Sequence, residues 1–146
     1  MNLPDVNLLL YALDTSAPRH DAARRWLEAQ LSGTEPVAFA WVVLLAFVRL
    51  TTQPRVFSHP LTAEEALDIV DGWLAQPPAT VVHPTERHPT HLRSLLTAAG
   101  TAGNLTTDAH LAALAIEHGA MLCSCDADFS RFAGLRWHDP LRADEV

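Results

Sequence analysis

The longest uninterrupted run of apolar residues extends from position 37 to position 48 and is 12 residues long. A helix that spans a membrane needs about 20 such residues, so the run indicates a buried segment of a globular core. Pro36 precedes it, and the Val and Phe residues of its first part favour a buried strand over 37–40, followed by a helix over 41–51. A strand that leads directly into a helix is typical of α/β folds.

The same order of strand and helix recurs along the chain, and prolines and glycines separate the segments. The spacing of apolar residues predicts further strands at 1–5, 80–83, 121–125 and 135–137. Further helices are predicted at 6–13, at 20–31, from the cap Thr62 to Pro77, at 88–99, and from a cap at Thr106 or Thr107 to 118. This alternation implies a three-layer α/β/α sandwich with a mainly parallel central sheet of four to five short strands.

Length and charge limit the classes of protein that remain. A chain of 146 residues fits one domain of roughly 100 to 200 residues, which we place at 1–141, with a short polar tail at 142–146. The net charge of −7 argues against broad electrostatic binding of nucleic acid, but it allows a local contact through a metal ion. No basic residue precedes the first apolar stretch, so we expect a cytoplasmic protein without a membrane partner.

Cysteine and histidine do not form a recognisable metal motif. Cys123 and Cys125 are two residues apart, a spacing that does not suit a disulfide on one strand, so we predict two small buried thiols. The eight histidines lack the spacing of a defined motif, which favours surface or core-edge positions.

Aspartates follow the predicted strands. Asp5 ends the first strand, Asp108 lies in the first turn of the last long helix, and Asp126 and Asp128 follow the strand that carries the cysteines. Ligands of parallel sheets collect at the carboxyl ends of the strands, so these side chains are expected to converge. Carboxylates held together repel one another unless a cation neutralises them, and oxygen ligands of this kind select Mg²⁺ or Mn²⁺.

Each aspartate also has a simpler explanation. Asp108 is a favourable partner for a helix dipole, and Asp126 and Asp128 are compatible with a turn closed by side-chain hydrogen bonds. Asp5 is harder to explain in this way, because an unpaired charge beside the apolar residues 6–10 would cost several kcal/mol. Asp5 therefore needs a strong partner or a function.

Four segments together resemble a known family: DVNLLLYA at residues 5–12, LLAFVRLTTQPRVF at 44–57, NLTTDAHLAALAIEHGA at 104–120 and CSCDADFSRFAGLRW at 123–137. In this order and spacing they are similar to PIN-domain proteins of the ribonuclease toxin type, the VapC family of VapBC toxin–antitoxin pairs. The resemblance runs from Asp5 to about Leu141.

The resemblance implies a metal-dependent endoribonuclease that uses Mg²⁺ or Mn²⁺ and leaves a 5′-phosphate and a 3′-hydroxyl. Asp5, Asp108 and Asp126 match the catalytic, metal-binding acids of the family, and Asp128 is a plausible accessory ligand. The expected partners are RNA, a VapB-type antitoxin and a second copy of the chain. Four further side chains are candidates for supporting the carboxylates or the phosphate, although a cap, a turn or a solvent-exposed position explains each of them as well: Asn7, Thr107, Ser124 and Arg49.

One position departs from the family pattern. PIN domains usually have a glutamate three residues before the arginine that is Arg49 here, and this chain has Ala46. Either water or Asp128 completes the metal ligands, or the site binds metal more weakly. The departure also supports an alternative function, a degenerate PIN module that binds RNA or protein without cleavage. Phosphatase chemistry through Asp126 and Asp128 is disfavoured, because its nucleophilic aspartate normally follows the first strand.

Overall fold

The computed structural model describes residues 1–142, and these contain one parallel sheet surrounded by helices. The strands are β1 (Asn2–Pro4), β2 (Val37–Phe39), β3 (Ala79–Val81), β4 (Met121–Cys123) and β5 (Trp137–His138). The helices are α1 (Val6–Leu13), α2 (His20–Ser32), α3 (Trp41–Thr51), α4 (Ala63–Leu74), α5 (His88–Ala99) and α6 (Thr106–Glu117). Short 3-10 turns lie at Gly103–Leu105 and Ala127–Arg131.

The sheet has the strand order β3-β2-β1-β4-β5, and every pairing in it is parallel. Helix α1 packs against α2 and α3, α3 packs against α4, and α5 packs against α6. The predicted α/β/α fold with a parallel sheet of four to five strands is confirmed. In the central pair, Pro4 of β1 lies opposite Cys123 of β4, so both strands end at the same edge of the sheet.

The long apolar run divides as predicted between a strand and a helix. Residues 37–40 are all buried, and α3 buries Val43, Leu44 and Phe47. The ring of Trp73 from α4 stacks on Phe39 and meets Phe47 edge-on, at centroid distances of 6.1 and 4.7 Å. This contact explains why a run of 12 apolar residues is compatible with a globular protein: most of it is core.

Two predicted helix ends are confirmed and two are wrong, one of them the end of α4, which lies at Leu74 and not at Pro77. Thr62 and Glu65 form a reciprocal capping box at the start of α4, and Gly100 ends α5 with a φ of 75°. The predicted cap of α6 by Thr106 or Thr107 is wrong. Leu105 precedes α6 without a side-chain cap, because the 3-10 turn before it already places Leu105 in a right-handed helical conformation.

Several strands are shorter than predicted, and β5 (Trp137–His138) begins two residues later and ends one residue later than the predicted strand at 135–137. The β4 strand ends at Cys123, and the next residue, Ser124, donates its hydroxyl to Asp5 in the site described below. No helix within residues 1–142 is long and apolar enough to cross a membrane. Apart from Arg142, the predicted tail at 142–146 lies outside the described residues.

Candidate metal centre

Asp5 lies at the carboxyl end of the central strand β1 and also precedes α1. Its backbone N–H donates to the Cys123 carbonyl at 2.9 Å, which continues the pairing of β1 with β4. Its Oδ1 accepts the Val6 N–H at 2.8 Å, and its Oδ2 accepts the Ser124 hydroxyl at 2.7 Å. Burial raises the pKa of the Asp5 carboxyl, these hydrogen bonds oppose that effect, and the nearby charge of Asp126 adds to it.

Ser124, which is fully buried, joins three parts of the site. Besides donating to Asp5, its Oγ accepts the Asp126 backbone N–H at 3.0 Å and the Asn7 amide at 3.1 Å. Asn7 also donates to Asp5 Oδ2 at 3.5 Å, and its Oδ1 accepts the Cys125 N–H at 3.4 Å. The ends of β1 and β4 are thereby fixed to each other through two polar side chains.

Asp126 and Asp128 form the side-chain turn that the sequence allowed. Asp126 caps the 3-10 turn Ala127–Arg131, and its Oδ1 accepts the Asp128 N–H at 2.9 Å. Asp128 is exposed and pairs with Arg131 across 3.5 Å. Since this turn uses one oxygen of Asp126, the other carboxylate oxygen stays available to a ligand.

Asp108 lies in the first turn of α6, close enough for the charges of the other three carboxylates to affect its pKa. Burial is the largest cause that raises its pKa, to about 6, and the charges of Asp5, Asp126 and Asp128 raise it further. Arg131 is the cation that opposes them. Aspartates from three distant stretches of the chain therefore share one electrostatic environment at the carboxyl edge of the sheet.

Two predicted supporting residues are not joined to the carboxylates in residues 1–142. Thr107 is exposed in the first turn of α6 and has no side-chain hydrogen bond there. Arg49 is exposed in the last turn of α3, and it makes neither an ion pair nor a hydrogen bond through its guanidinium. Arg131, which the sequence pattern does not single out, contacts the cluster instead. Its position three residues after Asp128, on a helical turn, is the signal that could have found it.

The donor set fits a hard divalent cation in its chemistry. All four side chains offer carboxylate oxygens, which Mg²⁺ and Mn²⁺ prefer, and their mutual repulsion is the kind that a bound cation relieves. No three His, Cys, Asp or Glu side chains within residues 1–142 are already arranged to hold a metal ion. Binding would therefore require the aspartate side chains to move closer together around the ion.

Ala46 gives the first prediction. It is half-buried in α3, and an alanine contributes no ligand where the family usually has a carboxylate. We expect the Ala46→Glu variant to bind Mn²⁺ about tenfold more tightly than the wild-type chain, since ligand number and charge set the affinity of such sites. Titration of Mn²⁺ into both proteins, followed by electron paramagnetic resonance, measures this difference. Equal affinities would show that position 46 does not supply a missing ligand.

The cysteines and several histidines lie outside the carboxylate cluster. Both cysteines are free, as predicted, but only Cys123 is buried, whereas Cys125 lies beyond the end of β4 and is half-buried. Burial is the main cause that raises each thiol pKa to about 12. His88 and His110 pack together where α5 meets α6, and His88 Nδ1 lies 2.5 Å from Glu117 Oε2. This second polar cluster runs along α6 from His110, two residues after Asp108, to Glu117 at the end of the helix.

Fold and site together define the class of this protein: a parallel α/β domain with an acidic centre at the carboxyl ends of its central strands. Residues 3–135 match the family model of the PIN domain. The chain is 51% identical to Ribonuclease VapC37 of Mycobacterium tuberculosis over 96% of this chain and 97% of that protein. It is 42% identical to Ribonuclease VapC33 of the same species, over 97% and 99% of the two chains. The chain belongs to the PIN domain family, which confirms the resemblance seen in the sequence.

Solved structures share the fold at low sequence identity. VapBC2 of Rickettsia felis, bound to a DNA fragment from its promoter, gives a TM-score of 0.68 at 19% identity, over 94% of this chain and 96% of that one. VapC20 of Mycobacterium tuberculosis, a toxin that cleaves the sarcin–ricin loop, gives 0.66 at 19% identity, over 93% and 99%.

Proposed function

We propose that this PIN-domain protein is a Mg²⁺- or Mn²⁺-dependent endoribonuclease and the toxin of a type II toxin–antitoxin pair. The observation that carries the proposal is the convergence of Asp5, Asp108 and Asp126, with Asp128 beside them, in a chain 51% identical to a protein named as a ribonuclease. In this proposal Asp5, Asp108 and Asp126 are the catalytic ligands and Asp128 is an accessory ligand.

Hydrogen bonds fix part of the site before substrate arrives, and the aspartates complete it when they close around the ion. Ser124 and Asn7 fix the orientation of Asp5, so its oxygens do not have to be ordered when the reaction begins. Asp126 is fixed by its own turn, and Asp108 is carried by a rigid helix. A divalent ion held by these residues would orient the phosphodiester, acidify a water molecule and stabilise the charge that develops on the phosphate.

The proposal is tested by incubating purified, antitoxin-free protein with total cellular RNA in the presence of Mg²⁺ or Mn²⁺. We expect fragments with 5′-phosphate and 3′-hydroxyl ends, and we expect none after addition of EDTA or with the Asp5→Asn variant. Cleavage that persists in both controls would come from a contaminant. If the wild-type chain binds RNA but does not cleave it at any metal concentration, the alternative function is supported, a degenerate PIN module with Ala46 in place of the usual glutamate. No contact of the site within residues 1–142 favours that alternative.

We also propose that a VapB-type antitoxin binds this chain through an apolar cleft of about 530 Å³. Apolar side chains of α1, α2 and α4 line most of it: Ala12, Leu13, Leu27, Leu31, Ile69 and Trp73. Helix α1 starts next to Asp5 and reaches the cleft at Ala12, roughly 10 Å along its axis. A peptide helix in the cleft is therefore near enough to direct a basic side chain to the acidic centre.

Gly72 offers a clean test of this cleft. It lines the cleft on α4, and a Cβ built on it meets no atom within 4 Å. We expect Gly72→Glu to weaken binding of a co-expressed antitoxin at least tenfold, because it adds a charge to a mostly apolar cleft in which Arg24 is already paired with Glu28. Gly72→Ala is the matched control and should bind normally. RNA cleavage by both free variants should equal that of the wild type. Unchanged antitoxin binding by Gly72→Glu would place the antitoxin elsewhere.

Three broader expectations belong to the same proposal. The toxin works in the cytoplasm, where its RNA is, and a single domain at 1–141 contains all of the catalytic residues. It forms a homodimer, for which the exposed Trp41 and Leu45, one turn apart on α3 and 44% and 62% exposed, offer an apolar contact.

A further inference from the structure

An acidic protein that cleaves RNA has an electrostatic difficulty. The chain carries a net charge of −7, and its proposed active centre gathers four aspartates. The RNA backbone is itself negative, so approach of a phosphate to this edge of the sheet is opposed by charge even when one divalent ion is bound. A fixed cation beside the carboxylates would reduce this repulsion.

Arg131 has the geometry of such a cation. It ends the 3-10 turn that follows Asp126, and its Nη2 lies 3.5 Å from Asp128 Oδ1. The backbone N–H of Asp128 in turn donates to Asp126 Oδ1 at 2.9 Å. The guanidinium thereby contacts Asp128, the proposed accessory ligand, and lies two contacts away from Asp126, while its side chain remains 48% exposed.

Three other arginines are engaged in contacts away from the acidic centre. Arg19 lies 3.9 Å from Asp139 and donates to the Leu141 carbonyl, and Arg24 pairs with Glu28 along α2. Arg136 donates to the carbonyl of Gly119 at 2.6 Å. Because Gly119 precedes β4, Arg136 lies at the amino edge of the sheet, opposite the acidic centre.

We propose that Arg131 is a substrate-binding residue that holds a phosphate of the RNA backbone beside the carboxylate cluster. The proposal rests on the ribonuclease function proposed above. A guanidinium presents five N–H donors in one plane, and Asp128 engages one end of it, so donors remain for two parallel hydrogen bonds to a phosphate. An exposed ion pair of 3.5 Å contributes at most about 1 kcal/mol, so a phosphate competes readily with Asp128. The positive charge of Arg131 lowers the pKa of Asp108, which agrees with a position of Arg131 beside the carboxylate cluster.

The test compares Arg131→Gln with Arg136→Gln, which removes the same charge from the opposite edge. The probe is a fluorescein-labelled single-stranded RNA of 20 nucleotides and mixed sequence, bound to the cleavage-deficient Asp5→Asn protein in Mg²⁺. We expect Arg131→Gln to raise the Kd about tenfold and to lower the slope of log Kd against log salt by about 0.7, the loss of one phosphate contact. Arg131→Lys, which keeps the charge, should retain the slope, and Arg136→Gln should leave both quantities unchanged.

Cleavage of total RNA by the same substitutions in the otherwise wild-type chain separates this inference from the function it depends on. The Arg131→Gln rate should fall about tenfold at low RNA concentration and recover as the RNA concentration rises. If the wild-type chain cleaves RNA but Arg131→Gln behaves like Arg136→Gln in both assays, the role of Arg131 is refuted and the nuclease function stands. If the wild-type chain neither binds nor cleaves RNA, the proposed function fails and the role of Arg131 fails with it.

Discussion

Replacing Asp108 with asparagine is expected to reduce RNA cleavage at least about 100-fold, since even residues that only support metal ligands are worth 10- to 100-fold. The substitution keeps the size of the side chain and removes its charge. The rate of cleavage of total RNA in Mg²⁺, with Asp21→Asn as the control, measures the effect. Asp21 lies exposed in the first turn of α2, so its variant has the same chemical change at a comparable place in a helix and should cleave normally.

The same variant should be the more stable protein when metal is removed. The charges of Asp5, Asp126 and Asp128 all act against the ionised form of Asp108, so loss of that ionised form relieves repulsion in the folded state. Solvent screens this partly exposed group, so we expect a gain on the order of 1 kcal/mol in EDTA. Addition of Mg²⁺ should raise the Tm of the wild type and leave that of Asp108→Asn nearly unchanged. A variant that loses stability in EDTA would show that Asp108 has a structural role.

Glu117→Gln is expected to cost about 2 to 4 kcal/mol of unfolding free energy, which is a fall in Tm of roughly 10 °C. The Glu117 side chain is completely buried between α5 and α6. Its Oε1 accepts the Thr85 N–H and hydroxyl at 3.0 and 2.6 Å, and its Oε2 lies 2.5 Å from His88 Nδ1. The amide of glutamine would place a donor against one of these donors. Thermal unfolding at pH 7 measures the loss.

The stabilisation by the Glu117 carboxylate should depend on pH, because the folded protein shifts the pKa of this group. Burial alone would raise the pKa of Glu117, but the hydrogen bonds from His88 and Thr85 outweigh it, so the pKa in the folded protein lies below the ordinary 4.5. The stabilisation is therefore complete above about pH 4.5 and is lost as the pH falls through the folded value. The Tm difference between wild type and Glu117→Gln should narrow on acidification.

Glu28→Gln is the control for Glu117. Glu28 is 63% exposed in its pair with Arg24, and loss of such a surface pair changes stability by less than about 1 kcal/mol. Glu117 lies nine residues beyond Asp108 on α6, roughly 14 Å along the helix, so cleavage by folded Glu117→Gln should equal that of the wild type. Equal melting temperatures for the two glutamine variants would contradict a structural role for the buried carboxylate.

The sequence predicts the fold well because its signals are local and agree with one another. The apolar run at 37–48 divides at Ala40, and α3 and α5 have the predicted ends. The cap of α6 was predicted wrongly, since a threonine beside a helix start does not reveal that a 3-10 turn already leads into the helix. Several strands were also predicted too long. The hydrogen bonds of residues just beyond a strand, such as that of Ser124 with Asp5, join positions more than 100 residues apart, so they leave no local signal in the sequence.

The aspartates of the carboxylate cluster could be predicted from the sequence, but the contacts that support them could not. Asp5, Asp108 and Asp126 could be identified because each follows a strand or starts a helix at one edge of a parallel sheet. The hydroxyl of Ser124 between Asp5 and Asp126, and the ion pair of Arg131, required the spatial arrangement. The network of Glu117, His88 and His110 gave no signal in the sequence, since the spacing of these residues resembles no motif and only helix packing joins them.

A crystal of the protein soaked in Mn²⁺ tests directly, through the anomalous scattering of manganese, whether Asp5, Asp108 and Asp126 bind a single divalent ion. We expect one strong peak at the carboxyl edge of the sheet, with oxygens of all three aspartates at ligand distances, and no such peak in a crystal of Asp108→Asn. A peak elsewhere on the molecule, or aspartates that stay apart in saturating Mn²⁺, would contradict this expectation.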